Sequence, residues 1–394
     1  MVGYAEKLIM KILIIGPSPY MQHDPGLTVK EFIYNYHDDY EMSGCFYHHD
    51  FDKIPIKYDE DFSISSDKAI RANWVNPLEK DGAVILLYEL LLANKYDLIL
   101  SFGSLSETDF IRASISTSSV MCPWIHVLTV SNGIHDLKMV DAMNGPDFIF
   151  SYSEYQIHTI NKIAGVSLDK MSVLERVFSK DSRNIIKNKG IVFGGWNSEI
   201  NNLKTVFQII EDFELPKKCL SNYFELGDFD LDSLANQHLA NHRKNDLFCD
   251  DFANVFIKPS YDKWDYYIDS MSFFVDMSMQ QGSCRTLSRA YSSGSTCFVI
   301  DTPRHREFAP VSDRYILVRS NTFFSSSGYR MYIPDHLDFY IKLSKKLEGF
   351  DKVTGNIQVH KYEDVNVKKD FHNLHCKIMQ GIKERIFSDF ESIT

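Results

Sequence analysis

Two successive runs of short, continuously apolar segments constrain this chain more than any other feature. The first run comprises Lys11 to Gly16, Tyr96 to Ser101, Trp124 to Leu128, Asp147 to Ser153 and Ser172 to Phe178. The second comprises Gly190 to Gly195, Asn254 to Lys258, Ser272 to Asp276, Cys297 to Asp301 and Tyr315 to Val318. Helix-patterned stretches separate them, among them Thr28 to Tyr36, Ala83 to Ala93 and a segment through Ile163 that stops at Gly165. Strands apolar on both faces belong inside parallel sheets covered by helices on each side. The pattern therefore predicts an α/β chain of two Rossmann-like, doubly wound domains. At 394 residues the chain also exceeds the length at which one core stops growing.

The polar, charged segment Ser179 to Lys189 reads as the linker. The expected organisation is residues 1–178, a linker at 179–189, residues 190–370, and a C-terminal segment 371–394. In the last segment Phe371, Leu374, Ile378, Ile382, Ile386 and Phe390 recur every three or four residues, one stripe of an amphipathic helix. The stretch from His37 to Phe62 holds eight acids against two lysines and is expected to be an exposed excursion.

Charge and cysteine usage narrow the function. Lys and Arg number 42 and Asp and Glu 53, a net charge of −11, which disfavours a chain that coats nucleic acid or anionic lipid. The seven cysteines are odd in number and form no C-x-x-C pair, so reduced thiols, no zinc site and a cytoplasmic location are expected. The longest apolar run, Ala83 to Ala93, is too short to span a bilayer, and the N-terminus does not read as a signal peptide. No metal is expected: His48, His49 and Asp50 sit in the acidic excursion, and the spacing of Asp228 and Asp230 reads as chance.

The segment from Asp269 to Asp301 carries the most chemistry. It contains Gln281-Gly282, then Arg289-Ala290, then Gly294 leading into the apolar stretch Cys297 to Ile300. This order resembles the donor-binding half of a GT-B glycosyltransferase, of the retaining, glycogen-synthase-like group (glycosyl transferases group 1). The family places E-G where Gln281-Gly282 stands and a second Glu followed by Ala where Arg289-Ala290 stands. The strand order of the first half, from Lys11 to Ser153, is similar to that of the family's N-terminal domain. The likeness covers roughly residues 10 to 320. Both family acids are replaced, and an arginine cannot accept hydrogen bonds from ribose hydroxyls, although it can grip a diphosphate. A plain βαβ unit without sugar chemistry is the alternative reading of the segment.

The resemblance implies two domains facing across a cleft, with the C-terminal helix packed back on the first. It implies transfer of a sugar from a nucleoside-diphosphate sugar, a UDP-sugar favoured, to an acceptor hydroxyl with retention, and no cofactor. A leaving diphosphate needs backbone N–H groups and cations. Gly282, Ser283, Arg285 and Thr286 at a helix start supply them, with Gln281 and Arg289 beside them. Gly194 and Gly195 either admit phosphate to the backbone or make a tight turn, and Lys258 is either a phosphate contact or a solvated lysine. Both arginines can instead pair with acids such as Asp276. On the first half, Gly16, His23 and Asp24 fall in the loop after the first strand, and His126 falls where family members carry a His beside the donor sugar. Asp301 to Arg306 reads as a cationic loop at the cleft or as a surface turn. The acceptor is expected to be a glycan, a small soluble hydroxyl compound or a hydroxymethylated base in viral DNA. Two other functions fit: an inactive nucleotide-sugar-binding protein, and a nucleotide-sugar epimerase.

Overall fold

The computed structural model describes residues 10–19, 24–47, 62–63, 69–75, 80–103, 109–118, 122–128, 142–173, 187–197, 202–210, 212–213, 215–223, 253–257, 261–278, 285–308, 312–324, 330–350 and 380. The strands up to Val173 form one sheet. They are β1 (Lys11–Pro17), β2 (Glu41–Tyr47), β3 (Phe62–Ser63), β4 (Ala69–Val75), β5 (Leu98–Gly103), β6 (Trp124–Leu128), β7 (Phe148–Ser151) and β8 (Met171–Val173). Their order is β3-β4-β2-β1-β5-β6-β7-β8, parallel throughout except for the antiparallel pairing of β3 with β4. Helices α1 (Asp24–Tyr36), α2 (Lys80–Ala93), α3 (Asp109–Ser118) and α4 (Glu154–Ala164) connect them.

A second sheet begins at β9 (Asn188–Asn197) and adds β10 (Lys217–Tyr223), β11 (Ala253–Ile257), β12 (Met271–Asp276), β13 (Thr296–Ile300) and β14 (Tyr315–Val318). Its order is β11-β10-β9-β12-β13-β14, all parallel. Its helices are α5 (Leu203–Ile210), α6 (Tyr261–Ser270), α7 (Arg285–Ser292), α8 (Pro303–Phe308) and α9 (His336–Phe350). An antiparallel hairpin, β15 (Ser320–Phe324) and β16 (Arg330–Pro334), follows β14.

Alternation along each strand feeds two layers of core. Ile12 and Ile14 pack with Phe32, Phe46 and Phe102 on one face of the first sheet, while Leu13 and Ile15 pack with Leu87, Phe110 and Trp124 on the other. In the second sheet Phe273, Val275 and Phe298 face α5 and α9 residues such as Ile210 and Phe339, and Phe274, Cys297 and Val299 face Leu287 and Ala290 of α7. Burial of each such large apolar side chain stabilises the fold by ~1.5–3 kcal/mol. The thiols of Cys45, Cys122 and Cys297 lie buried inside these cores.

Local chemistry sets the helix ends. Ser153 caps α4 by accepting a hydrogen bond from the Gln156 N–H, and Gly165 closes it in the left-handed conformation at φ 69°. Ile157, Ile160 and Ala164 form its buried stripe. Gly294, at φ 95°, performs the turn between α7 and β13.

The expected exposed excursion at 37–62 is corrected by β2, which is a central strand with Met42, Cys45, Phe46 and Tyr47 buried. The flanking acids hid a short strand whose interior is apolar. At Gly44 an added Cβ would lie 2.2 Å from the Phe46 ring, so the position has room only for glycine. The last three residues of the expected linker are also placed: Lys187 is half-buried, and Asn188 and Lys189 open β9. The Lys187 ammonium donates to Ser293 Oγ and Ser295 Oγ, both at 2.9 Å, and burial pushes its pKa down to about 8. Apart from Gln380, the amphipathic segment 371–394 lies outside the described residues. No helix among the described residues is long and apolar enough to cross a membrane.

Candidate functional site

In doubly wound sheets ligands bind beyond the carboxyl ends of the strands, where the strand order reverses. The first sheet reverses between β1 and β5, so the ends at Gly16–Pro17 and Gly103 flank its crevice. The second reverses between β9 and β12. There Val275 pairs with Phe193, which makes Asp276 and Gly194 the next residues on adjacent strands.

On the second sheet, a polar network surrounds Asp276. Its Oδ1 accepts from the Ser278 N–H at 3.1 Å and from the Ser278 hydroxyl, and its Oδ2 lies 3.9 Å from Nε2 of the buried His305. The other ring nitrogen of His305 lies 2.7 Å from the Ile300 carbonyl and 3.1 Å from Thr302 Oγ1. Asn202, buried at φ 52°, donates to the Met277 carbonyl at 2.6 Å and to the Tyr332 carbonyl at 3.4 Å. It thereby ties the residue after β12 to the hairpin and to the start of α5. Asn202 did not stand out in the sequence, because its partners are backbone carbonyls distant along the chain, and His305 was read only as part of the 301–306 segment.

On the first sheet, His126 sits in the middle of β6 rather than at its tip, and is 1% exposed. The Trp124 indole N–H donates to Ser101 Oγ at 2.7 Å, and Ser101 Oγ lies 2.8 Å from His126 Nδ1. The Ser101 hydroxyl also lies 3.5 Å from the Ile125 carbonyl, so it can either donate to Nδ1 or accept from it. The His126 Nε2 is buried and finds no hydrogen-bond partner among the described residues. Burial drives the His126 pKa down to about 3, so the ring is neutral at physiological pH.

The other sequence-predicted residues divide. Gly16 lies within β1, where a Cβ would come within 3.1 Å of Val29 and Phe102, so close packing of α1 and β5 explains it. Asp24 opens α1 instead of lying in a loop. Gly194 and Gly195 lie inside β9, not in a turn after it. Arg285 begins α7 and Thr286 is half-buried in its first turn. His23, Lys258, Gln281, Gly282 and Ser283 lie outside the described residues, as do His48, His49 and Asp50.

Arg289 is placed elsewhere. It makes a two-pronged pair with Asp269, Nε to Oδ1 at 3.0 Å and Nη2 to Oδ2 at 2.6 Å. Asp269 lies in the last turn of α6, two residues before β12, and Arg289 belongs to the last turn of α7, so the pair lies at the amino ends of the strands. The Arg289 guanidinium is engaged there by Asp269, one helical turn beyond Arg285. The expected cationic loop at 301–306 is corrected as well: it is α8, with Arg306 paired to Asp301 and both Arg304 and His305 buried. No group of three or more His, Cys, Asp or Glu among the described residues is arranged to hold a metal ion.

No protein-family model and no curated protein sequence matches the chain. Solved structures do. The apo form of the lipopolysaccharide outer core galactosyltransferase WaaB superposes with a TM-score of 0.61 at 15% identity, covering 92% of this chain and 98% of that one. Anabaena HepE, solved in complex with UDP and glucose, gives 0.60 at 11% identity over 96% of this chain and 100% of its own. Sucrose-phosphate synthase from Thermosynechococcus elongatus gives 0.62 at 9% identity over 98% and 100%. At these identities the likeness is one of architecture. Two doubly wound sheets in tandem, matched along nearly the whole length of both partners, establish that the chain has the GT-B fold.

Proposed function

We propose that the chain is a nucleotide-sugar-dependent glycosyltransferase that moves a sugar from a nucleoside-diphosphate donor, UDP favoured, to an acceptor hydroxyl. The observation that carries this reading is the tandem of two reversal points within a fold matched over 96% of the chain by a structure holding UDP and glucose. Such a crevice suits a nucleotide with an appended sugar. The donor diphosphate is assigned to the start of α7, where Gln281, Gly282, Ser283, Arg285 and Thr286 precede or open the helix, together with Gly194 and Gly195 of β9 and with Lys258. Backbone N–H groups at a helix start and a guanidinium fork are suited to the charge that develops on a leaving diphosphate. His126, His23 and Asp24 are assigned to the donor sugar and acceptor side, with the neutral His126 ring offering its unpaired Nε2. Transfer with retention, a location in the cytoplasm, and a glycan, small hydroxyl compound or hydroxymethylated DNA base as acceptor complete the proposal. The expected division at 1–178, 179–189 and 190–370, with 371–394 returning to the first half, is part of the same reading.

Calorimetric titration of UDP and GDP into two variants tests the site. Arg285→Ala is expected to weaken diphosphate binding by roughly 10- to 150-fold, the worth of a charge-assisted hydrogen bond of ~1.5–3 kcal/mol. Arg289→Ala is expected to leave binding unchanged and to lower stability by ~1–3 kcal/mol, because it strands the largely buried Asp269 carboxylate. Parental affinity in Arg285→Ala would remove the diphosphate from this helix.

The replacement of both family acids by Gln281 and Arg289 favours one second reading, a protein that binds a nucleotide sugar without turning it over. Binding of UDP with neither transfer nor hydrolysis of UDP-, GDP- or ADP-sugars selects it. Release of an altered free sugar would select the epimerase instead.

A further inference from the structure

A contact between the two sheets lies outside the groups assigned above. Glu307, on α8, reaches across to the start of α4. Its Oε1 accepts the Tyr155 backbone N–H at 2.6 Å and its Oε2 accepts the Ser153 hydroxyl at 2.8 Å. The donors are unambiguous. Ser153 Oγ already accepts the Gln156 N–H, so its own proton is free to be donated, and Tyr155 N–H is one of the helix-start donors that has no partner within the helix. The end of α4 is thus capped twice, once by its own Ser153 and once by a carboxylate from the other sheet. A negative charge there also complements the helix dipole.

Both sides of the contact are rigidly mounted. Glu307 sits on α8, which begins just beyond the carboxyl end of β13. Thr302 Oγ1 caps α8 by accepting the His305 N–H at 3.2 Å, and the Tyr315 hydroxyl donates to the His305 carbonyl at 3.0 Å. Arg306 is clamped to Asp301. On the other side, α4 follows the carboxyl end of β7. The contact therefore joins the carboxyl edges of the two sheets, the edges that carry the reversal points. Two sheets that grip one ligand must hold a defined setting relative to each other, since small misplacement of reacting groups is costly.

We infer that Glu307 is a positioning residue that latches the two sheets at one relative setting, and that its release lets them separate. The role in turnover rests on the transfer reading above; the latch itself does not. Glu307 is exposed, so the latch is reversible and weakened by salt.

The test uses the full chain and the variants Glu307→Ala and Glu307→Gln. Small-angle scattering and amide exchange at Tyr155 read the latch directly. In Glu307→Ala the radius of gyration without nucleotide should rise, and Tyr155 should exchange about three- to tenfold faster. Glu307→Gln, which keeps an accepting oxygen but loses the charge, should fall between. With UDP-glucose, kcat of Glu307→Ala should fall severalfold while the UDP Kd stays near the parental value. A parental radius and parental Tyr155 exchange in Glu307→Ala overturn the latch, as does a lowered Tm with an unchanged radius. If the parent neither binds UDP nor turns over UDP-sugars, the transfer reading falls, and scattering and exchange still decide the latch.

Discussion

Phe298→Ala is expected to cost about 3–5 kcal/mol, the range for deleting a fully buried aromatic side chain. Phe298 is 0% exposed and stands at the centre of the second sheet's core. Its ring packs against Phe273 at 6.2 Å and Phe339 at 5.8 Å between centroids, so it bridges two strands and the last described helix. Parallel pairing with β12 on one side and β14 on the other holds the strand in place, so its backbone cannot move in to close the cavity. The buried clusters of the first sheet contain no residue of the second, so the loss should fall on one unfolding step only. Urea unfolding followed by tryptophan fluorescence reads both halves. A loss below about 1 kcal/mol, or an equal shift of both steps, would contradict the separation of the cores.

Acid should destabilise the chain through His126. An unfolded histidine titrates near 6.5, whereas burial holds His126 at about 3. Between these values the unfolded chain binds a proton that the folded chain refuses. Stability contributed by the neutral ring is therefore fully present above pH 6.5 and is lost as pH falls, at ~1.4 kcal/mol per pH unit. By pH 4.5 the expected loss is ~3 kcal/mol. His126→Gln removes the titration, so its denaturant midpoint should depend less on pH over 4.5–6.5 than the parent's. Equal pH dependence of the two proteins would mean that the ring is reached by water. If Nε2 also meets the donor sugar, the same variant should lose turnover far more than donor affinity.

Most of the parallel core was legible because its strands are apolar on both faces, as β1, β5, β12 and β13 show. What escaped was strands whose apolar content is diluted. Glu41 to Tyr47 lies among acids, and Lys217 to Tyr223 begins with two lysines. Their identity as strands comes from their neighbours in the sheet, a property that no local window contains. The site was less legible for the same reason. His126 could be singled out by its place in a strand, but its burial depends on Ser101 and Trp124 behind it. Arg289 looked available for phosphate because Asp269 is 20 residues earlier, and only the α6–β12–α7 turn of the chain brings them together. Glu307 gave no signal at all, since its partners are 152 and 154 residues away.

The buried thiols give each half of the molecule its own clock. Burial pushes the Cys45 thiol up to about 12 and raises that of Cys297 further, so neither forms a thiolate at neutral pH. Alkylating reagents attack the thiolate, and these sulfurs become reactive only when their own sheet opens. The alkylation rate at Cys45 therefore times the opening of the first sheet, and that at Cys297 the opening of the second. Peptide mapping of a time course separates the two within one sample.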